Sequence, residues 1–439
     1  MLWRALGRRY RVLAIRDFRL LLADRLLAPA AAGFSLVGVS FAVLNGTGSA
    51  ADLSYVLAAQ IAPTLVFALV GGVAADRFPP QRVIIVANLA MVAGEGIFGL
   101  LVLTGKPPVW SMILLEALTG TGAALFYPAS QALLPQLVPG ALLQEASSIS
   151  RLVMNSGQML GAAAGGLLVA AAGAGWALTL CGVGMTCTVP LMLAIRGNSP
   201  RAPVRGEKGP GMVTELREGW AEFRSHTWLW ATVIQFCLVV MAWYAGFQVL
   251  GPVVARLHLG GPAAWGAITA ADAFGLIAGG LLSLRYTPRR PILFVVLTGG
   301  AMAAPTLALA LALPLAAICV TTFCLGAAME VMMVQWTVAL ATRIPSDKLA
   351  RVSSYDVLGS MGAAPLGALI AGPVAAAVGV PATQFAAVVL IIVVSALCLI
   401  PRDIRTIRSD DIVLTEPGDA VLPEPGDAAL PEPLPAAPR

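Results

Sequence analysis

Residues 71–82 read GGVAADRFPPQR, and a related stretch, GGLLSLRYTPRR, occupies residues 279–290, an offset of 208. A second pair of related stretches, VPGALLQEASS at 138–148 and IPSDKLARVSS at 344–354, is offset by 206. Two nearly equal offsets at separate places in the chain indicate a duplication. The sequence therefore predicts two related halves of similar length.

The composition indicates a membrane protein. Hydrophobic residues make up 58% of the 439 residues and charged residues only 12%, with a mean hydropathy of +0.84. Soluble domains use about 25% charged residues, and a membrane helix needs roughly 20 apolar residues. The twelve predicted spans are 20–44, 52–75, 83–104, 109–128, 149–172, 175–195, 227–253, 262–284, 291–312, 314–341, 354–376 and 382–400. We predict an all-α membrane protein with twelve transmembrane helices in two pseudo-symmetric six-helix bundles.

The segments between and around the spans complete the predicted domain organisation. They are a basic N-terminus (1–19), an N-terminal bundle (20–196), a connector with an amphipathic helix (197–226), a C-terminal bundle (227–400) and a tail (401–439). The tail is rich in Pro and Glu and repeats itself as TEPGDAVLPEPGDAALPEP. Such a composition cannot bury a core, so we expect the tail to be disordered.

The positive charges predict the orientation. Nearly all of the 28 Lys and Arg residues fall in the termini, the connector and alternate loops, whereas Lys106 and Arg256 alone occupy the opposite loops. Cytoplasmic loops carry the excess of Lys and Arg. We therefore expect both termini in the cytoplasm of a bacterium, with the chain in its inner membrane.

The loop between spans two and three contains Gly72, Asp76 and Arg77, and Arg82 begins span three. This spacing resembles the G-x-x-x-D-R signature loop of the major facilitator superfamily. A carboxylate here can face a helix N-terminus of the other half, near residues 353–354, and so bias a conformational equilibrium. Alternatively, Asp76 and Arg77 are ordinary solvated loop charges.

Span five carries a glycine motif formed by Gly157, Gly161, Gly165 and Gly166. It resembles the g-x-x-x-G-P-x-x-G-G signature of antiporters in this superfamily, with Ala162 at the proline position. The resemblance implies export. The alternative is a small-residue packing face, which any close helix pair can use.

The wider resemblance is to the drug and siderophore exporter branch of the superfamily and covers roughly residues 15–400. It is carried by DFRLLLADRL (17–26), ALFYPASQALLPQLVP (124–139), ELREGWAEFRSHTWL (215–229) and RVSSYDVLGSMGAAPLGALIAG (351–372). It implies a small-molecule substrate, proton antiport and a monomer. The chain departs from the branch in span one, which has no acid at 28–35, and in span four, which has no arginine at 118–126.

Four acids lie within predicted spans: Glu95, Glu116, Asp272 and Glu330. Ionised acids at this depth are costly and usually face a cavity with a function. We expect them to form the proton and substrate path, although hydrogen-bonded core acids remain an alternative. Asp24 and Arg25 form either an interfacial ion pair or the mouth of this path.

Aromatic, Met and Gln residues are candidates for the wall of a substrate cavity. They are Phe126, Tyr127, Trp243, Tyr244, Phe247, Gln248, Met332, Met333, Gln335 and Trp336. Such side chains suit an apolar or cationic substrate, and helix packing is the alternative. Asp356, early in span eleven, is predicted to make a cap or gate contact.

Other functions lack sequence support. We find no GxxxxGK[ST] nucleotide loop and no catalytic triad, and His226 and His258 are too far apart to suggest a metal site. We therefore expect a non-enzyme without cofactor or ATP, driven by the proton gradient. Uptake, facilitated diffusion or lipid translocation by the same fold remain alternatives, as does a non-transporting sensor or scaffold.

Overall fold

The computed structural model describes most of the chain. The described ranges are 11–77, 79–195, 220–283, 285–344 and 346–408. These ranges are helical and contain no strand. The predicted basic N-terminus lies largely outside them, as do most of the connector and of the tail.

Twelve long helices occupy the positions of the twelve predicted spans. They are α1 (Arg16–Thr47), α2 (Ala50–Arg77), α3 (Pro80–Thr104), α4 (Val109–Leu137), α5 (Leu143–Ala172), α6 (Ala174–Ala194), α7 (Thr227–His258), α8 (Pro262–Ser283), α9 (Pro291–Ala310), α10 (Leu315–Arg343), α11 (Ser346–Met361 and Ala364–Val378) and α12 (Val380–Cys398). Over their described residues, eleven of these helices are long and apolar enough to cross a membrane. The other is α2, which has 28 residues and lies where a span was predicted. The predicted fold class is confirmed.

The helix pairings repeat between the halves. In the first half α1 packs against α5 and α6, α2 against α4, and α3 against α6. In the second half α7 packs against α11 and α12, α8 against α10, and α9 against α12. Each pairing recurs six helices later, as expected for a duplicated bundle.

Two glycines show the duplication at the level of single residues. Gly173 joins α5 to α6 with φ 93°, and Gly379 joins α11 to α12 with φ 91°. Their N–H groups donate to the carbonyls of Val169 and Ala375, respectively, which closes the preceding helix. Glycine is favoured at both junctions because a side chain is strained at positive φ.

Helix α7 is interrupted by a π-turn at Tyr244–Val249. A π-turn leaves backbone carbonyls without their usual helical partners, and here Gln384 of α12 donates its side-chain amide to the Gly246 carbonyl at 2.9 Å. The turn lies mid-helix, where Phe247 and Gln248 leave the regular α-helical spacing.

The halves meet through α5 against α8 and α2 against α11. Several of these contacts lie at the end of the bundle opposite the arginine-rich loops, which we call the opposite end; the other is the basic end. At the opposite end Ser54 accepts a hydrogen bond from the Gly372 N–H at 2.6 Å, and the Arg256 guanidinium donates to the Leu44 carbonyl. Contacts at this end hold the two halves together there.

Candidate functional site

A cavity of about 160 Å³ lies between the two halves. The first half contributes Leu36, Gln158 and Ala162, and the second contributes Trp243, Phe247, Gln248, Thr269, Asp272, Leu276, Met302, Leu325 and Met329. Most of this wall is apolar or aromatic, with two amides and one carboxylate. Convergence of a few polar groups on an apolar cavity is typical of a small-molecule site.

Among the described residues that line this cavity, Asp272 supplies the only carboxylate. It is partly buried on α8, where α8 approaches α10 so closely that a Cβ on Gly326 would collide with the Asp272 carbonyl. The close helix contact fixes the backbone that carries the acid. A carboxylate held at an apolar wall can pair with a protonated amine or accept a proton.

The aromatic wall of the cavity lies on α7. The rings of Trp243 and Phe247 stack with centroids 4.0 Å apart and planes 12° apart, and Phe247 also contacts Trp265 at 5.3 Å. Phe247 and Gln248 belong to the π-turn, so the irregular helix shapes this part of the wall. Aromatic rings and a carboxylate that line one cavity favour a flat or cationic ligand group.

Glu95 of α3 and Glu116 of α4 lie inside the first half, where the two helices are so close that a Cβ on Gly94 would lie 2.8 Å from the Leu115 carbonyl oxygen. They are 2% and 0% exposed. Ser35 donates to Glu95 Oε1 at 2.6 Å, whereas Glu95 Oε2 and both Glu116 carboxyl oxygens accept no hydrogen bond from the described residues. A buried carboxylate pair of this kind needs a proton or another cation to accompany it.

Glu330 of α10 is paired across the two halves. Its Oε1 lies 3.2 Å from Nη1 of Arg151 on α5, and the two side chains are 14% and 61% exposed, respectively. The sequence placed Glu330 with the other membrane acids but did not reveal this arginine. The pair joins the halves by a contact that relative motion of the halves would break.

The remaining polar candidates hold helices together within one half. Arg25 donates to the Ser130 carbonyl at 2.9 Å and thereby joins α1 to α4, beside the buried Asp24. Asp356 accepts a hydrogen bond from the Trp336 indole at 2.8 Å. These contacts support packing, and none of these residues is among those lining the cavity described above.

The sequence profile of the Major Facilitator Superfamily matches residues 26–355. The chain belongs to this superfamily. It is a multi-pass membrane protein with the fold of that superfamily.

Three relatives are efflux proteins. The macrolide efflux protein A of Streptococcus pyogenes is 25% identical over 251 residues, which cover 56% of this chain and 60% of that protein. The enterobactin exporter EntS of Salmonella typhi is 29% identical over 309 residues, covering 68% and 72%. The multidrug efflux pump Tap of Mycolicibacterium fortuitum is 28% identical over 206 residues, covering 46% and 50%. The matched part of the chain thus spans about 60% of the first of these relatives.

Solved structures share the fold. The nucleoside transporter NupG, as a mutant, superposes with a TM-score of 0.71 at 12% identity, over 88% of this chain and 99% of that one. A bacterial homologue of the lysosomal transporter Spinster, in an inward-facing unoccupied conformation, gives 0.63 at 18% identity, over 87% and 96%. Both likenesses concern the fold alone.

The glycine motif of this major facilitator protein is a packing face. Gly157, Gly161 and Gly165 lie against the backbone of α1, whereas Gly166 faces the other half. A Cβ built on Gly166 would lie 2.7 Å from the Gly266 Cα of α8. One residue of the motif therefore sets the approach of the two halves at the opposite end.

The other predicted site residues are spread through the bundle. The end of α2 contains Gly72, Asp76 and Arg77, and the surroundings of their side chains, like those of Tyr127, lie outside the described structure. Arg82 is exposed near the start of α3, Phe126 packs in the core of the first half, and Tyr244 packs against the main core. On α10, Gln335 and Met332 are buried and Met333 is exposed. Among the predicted cavity residues, Trp243, Phe247 and Gln248 line the cavity with Asp272.

Sequence reasoning missed Gln158 and Ser35. Gln158 lines the cavity from the first half, and Ser35 donates to Glu95. A scan for every uncharged polar residue inside an apolar span would have found both, because such residues usually have a partner or a ligand there.

Proposed function

We propose that this protein is a transporter that exports a small amphiphilic compound, such as a drug, siderophore or metabolite, in exchange for protons. One observation carries the proposal: the Asp272 carboxylate and the stacked Trp243–Phe247 pair line the same largely apolar cavity between the halves. The direction is supported by the efflux relatives.

The chemistry of the cavity favours a compound with an amine or another cationic group on an apolar body. A protonated amine pairs with Asp272 and lies against the aromatic faces, while the thioethers of Met302 and Met329 adapt to its shape. Pockets for drug-sized ligands measure about 300–1,000 Å³. The 160 Å³ space takes only part of such a compound, so the halves must separate further to admit the rest.

Proton coupling is assigned to the acids. At Asp272 a proton and a cationic substrate compete for the same carboxylate, so binding of one releases the other. Glu95 and Glu116 are buried within the first half and are not among the described residues that line the cavity; we assign to them the binding of a proton away from the substrate. Uptake of a proton from the outside and loss of substrate to the outside then balance in charge for a monovalent cation.

Alternating access provides the movement. The opposite-end contacts close one side of the cavity, and rocking of the halves would open that side while closing the other. The loop with Asp76 and Arg77 is assigned to gating at the basic end. To this mechanism we assign a monomer in a bacterial inner membrane, with both termini in the cytoplasm and without a cofactor or ATP.

The test is export from cells that express this chain. Efflux of a panel of dyes, macrolides and siderophores is measured with and without a protonophore, for the natural chain and for Asp272→Asn, Glu116→Gln and Asp76→Asn. The matched control is Asp403→Asn, an exposed acid beyond α12. We expect protonophore-sensitive export that Asp272→Asn abolishes and Asp403→Asn leaves intact.

Two outcomes would contradict the proposal separately. If no compound shows export that depends on the protein, the proposed export activity is wrong, and uptake or lipid translocation becomes the favoured function. If export persists with full protonophore sensitivity in both Asp272→Asn and Glu116→Gln, the assignment of proton coupling to these acids is wrong.

A further inference from the structure

A second cavity, of about 670 Å³, lies at the basic end and is separate from the substrate cavity. The loop between α8 and α9, the first turns of α9 and the segment after α12 form it. Three arginines line it, Arg289, Arg290 and Arg408, and below them lie Leu293, Phe294 and Leu297 of α9. The cavity thus has a cationic part and an apolar part.

The cationic part carries a strong positive excess. Residues 285–290 and 402–408 together contain six arginines and one acid, Asp403, and the described residues that line the cavity include three arginines and no acid. Arg343 of α10 donates to the Arg408 carbonyl at 3.3 Å. That bond ties the segment after α12 to the bundle and brings one more guanidinium near. A positive potential in this position attracts anions.

The apolar part continues along one face of α9. Arg290, Leu293, Phe294 and Leu297 are spaced at i, i+3, i+4 and i+7, which places them on the same side of a helix. At 1.5 Å per residue, Leu297 lies about 10 Å deeper in the membrane than Arg290. Leu297 is 52% exposed, so this face is open to lipid.

We propose that this cavity binds the phosphate headgroup of an anionic phospholipid, with an acyl chain along the α9 face. Guanidinium groups pair with phosphate oxygens through two parallel hydrogen bonds, and basic pockets at the cytoplasmic ends of membrane helices are suited to anionic headgroups. A free phosphate ion would use the arginines but not Phe294 or Leu297. The continuous apolar face therefore favours a lipid over a free anion.

The experiment measures lipid binding to the purified full-length chain in an uncharged detergent by native mass spectrometry. Phosphatidylglycerol is titrated against phosphatidylcholine with the same acyl chains and, in a third arm, against inorganic phosphate. Arg290→Gln removes a lining arginine, and Arg285→Gln is the matched control, since Arg285 is in the same loop but is not among the lining residues. Melting curves without added lipid verify that both variants are folded.

We expect the natural chain to bind phosphatidylglycerol about tenfold more tightly than phosphatidylcholine, a preference that one charge-assisted contact can supply. Arg290→Gln should abolish that preference, and Arg285→Gln should retain it. Leu297→Ser should weaken phosphatidylglycerol binding without changing the response to inorganic phosphate.

Three results would overturn the proposal. Equal loss in Arg285→Gln and Arg290→Gln would indicate general charge attraction rather than a site. Equal stabilisation by inorganic phosphate and phosphatidylglycerol would indicate a free-anion site. A large gain of lipid binding in Asp410→Asn/Asp411→Asn, which neutralises the carboxylates that follow Arg408, would indicate that the chain itself supplies the anion.

Discussion

The contact between Gly166 of α5 and Gly266 of α8 allows the two-half mechanism to be tested by one methyl group. A Cβ on Gly166 would lie 2.7 Å from the Gly266 Cα and 2.9 Å from the Pro262 carbonyl oxygen. Both neighbours are backbone atoms, so the strain cannot be relieved by a side-chain rotation. The helices must separate for Gly166→Ala to fit.

Overpacking of this kind costs about 1–3 kcal/mol. Because α5 and α8 belong to different halves, the cost falls on the conformation in which the opposite end is closed. A bias of about 1–3 kcal/mol changes the ratio of two conformations by about 5–150-fold. Gly166→Ala should therefore shift the population towards opening at the opposite end.

The assay is a distance distribution between spin labels in the exposed loops at that end, at Lys106 in the first half and Leu313 in the second. Gly161→Ala is the control, because Gly161 meets Ala30 of α1 within the same half. We expect both variants to melt earlier and only Gly166→Ala to populate longer label distances. If Gly166→Ala is less stable but its label distances match those of the natural chain, the contact between Gly166 and Gly266 does not separate when the opposite end opens, contrary to this prediction.

Three further outcomes are expected. Glu330→Gln removes the ion pair with Arg151, whose side chain is 61% exposed. The free-energy difference between the two conformations should therefore change by no more than about 1 kcal/mol, and by less at high salt. A large, salt-independent change in the label distances would contradict this. Hydrogen bonds from Lys348 and His226 hold the pKa of Glu222 below its usual 4.5, so the contact of residues 220–226 with α11 gains stability above pH 4.5 and loses it as the pH falls through the lowered value. Tryptophan fluorescence should show this transition, and Lys348→Gln should weaken it. Ser35→Ala leaves a buried carboxyl without its donor and should lower the free energy of unfolding by about 1–3 kcal/mol, measured by denaturant titration; an unchanged value would mean that water replaces the hydroxyl.

The number and order of the helices could be predicted from the sequence because every span must satisfy the same length and hydropathy limits. The ends of the helices were harder to predict. Span four was predicted to end at residue 128, yet α4 continues to Leu137 with Pro128 and Pro135 inside it. Proline usually ends a helix, and here packing against neighbouring helices stabilises α4 beyond its prolines.

The chemistry of the site could be predicted only in part. Asp272 was a candidate because an acid within a span is unusual, and it does line the cavity. Local patterns gave no indication that Glu330 pairs with Arg151, since the two are 179 residues apart. Contacts between the halves depend on how the two bundles dock, and local sequence patterns do not reveal that arrangement.

The π-turn of α7 has a consequence for the length of that helix. A turn of this kind holds one residue more than an α-helical turn, so deleting one residue within Tyr244–Val249 leaves enough residues to close a regular α-turn. The helix beyond it keeps its direction, and Arg256 stays near the Leu44 carbonyl. Phe247 and Gln248, however, lie within the turn and would lose their present places in the cavity wall. A one-residue deletion in this six-residue interval should therefore alter ligand recognition and spare the opposite-end contact, because the extra residue serves the wall and not the rest of the helix.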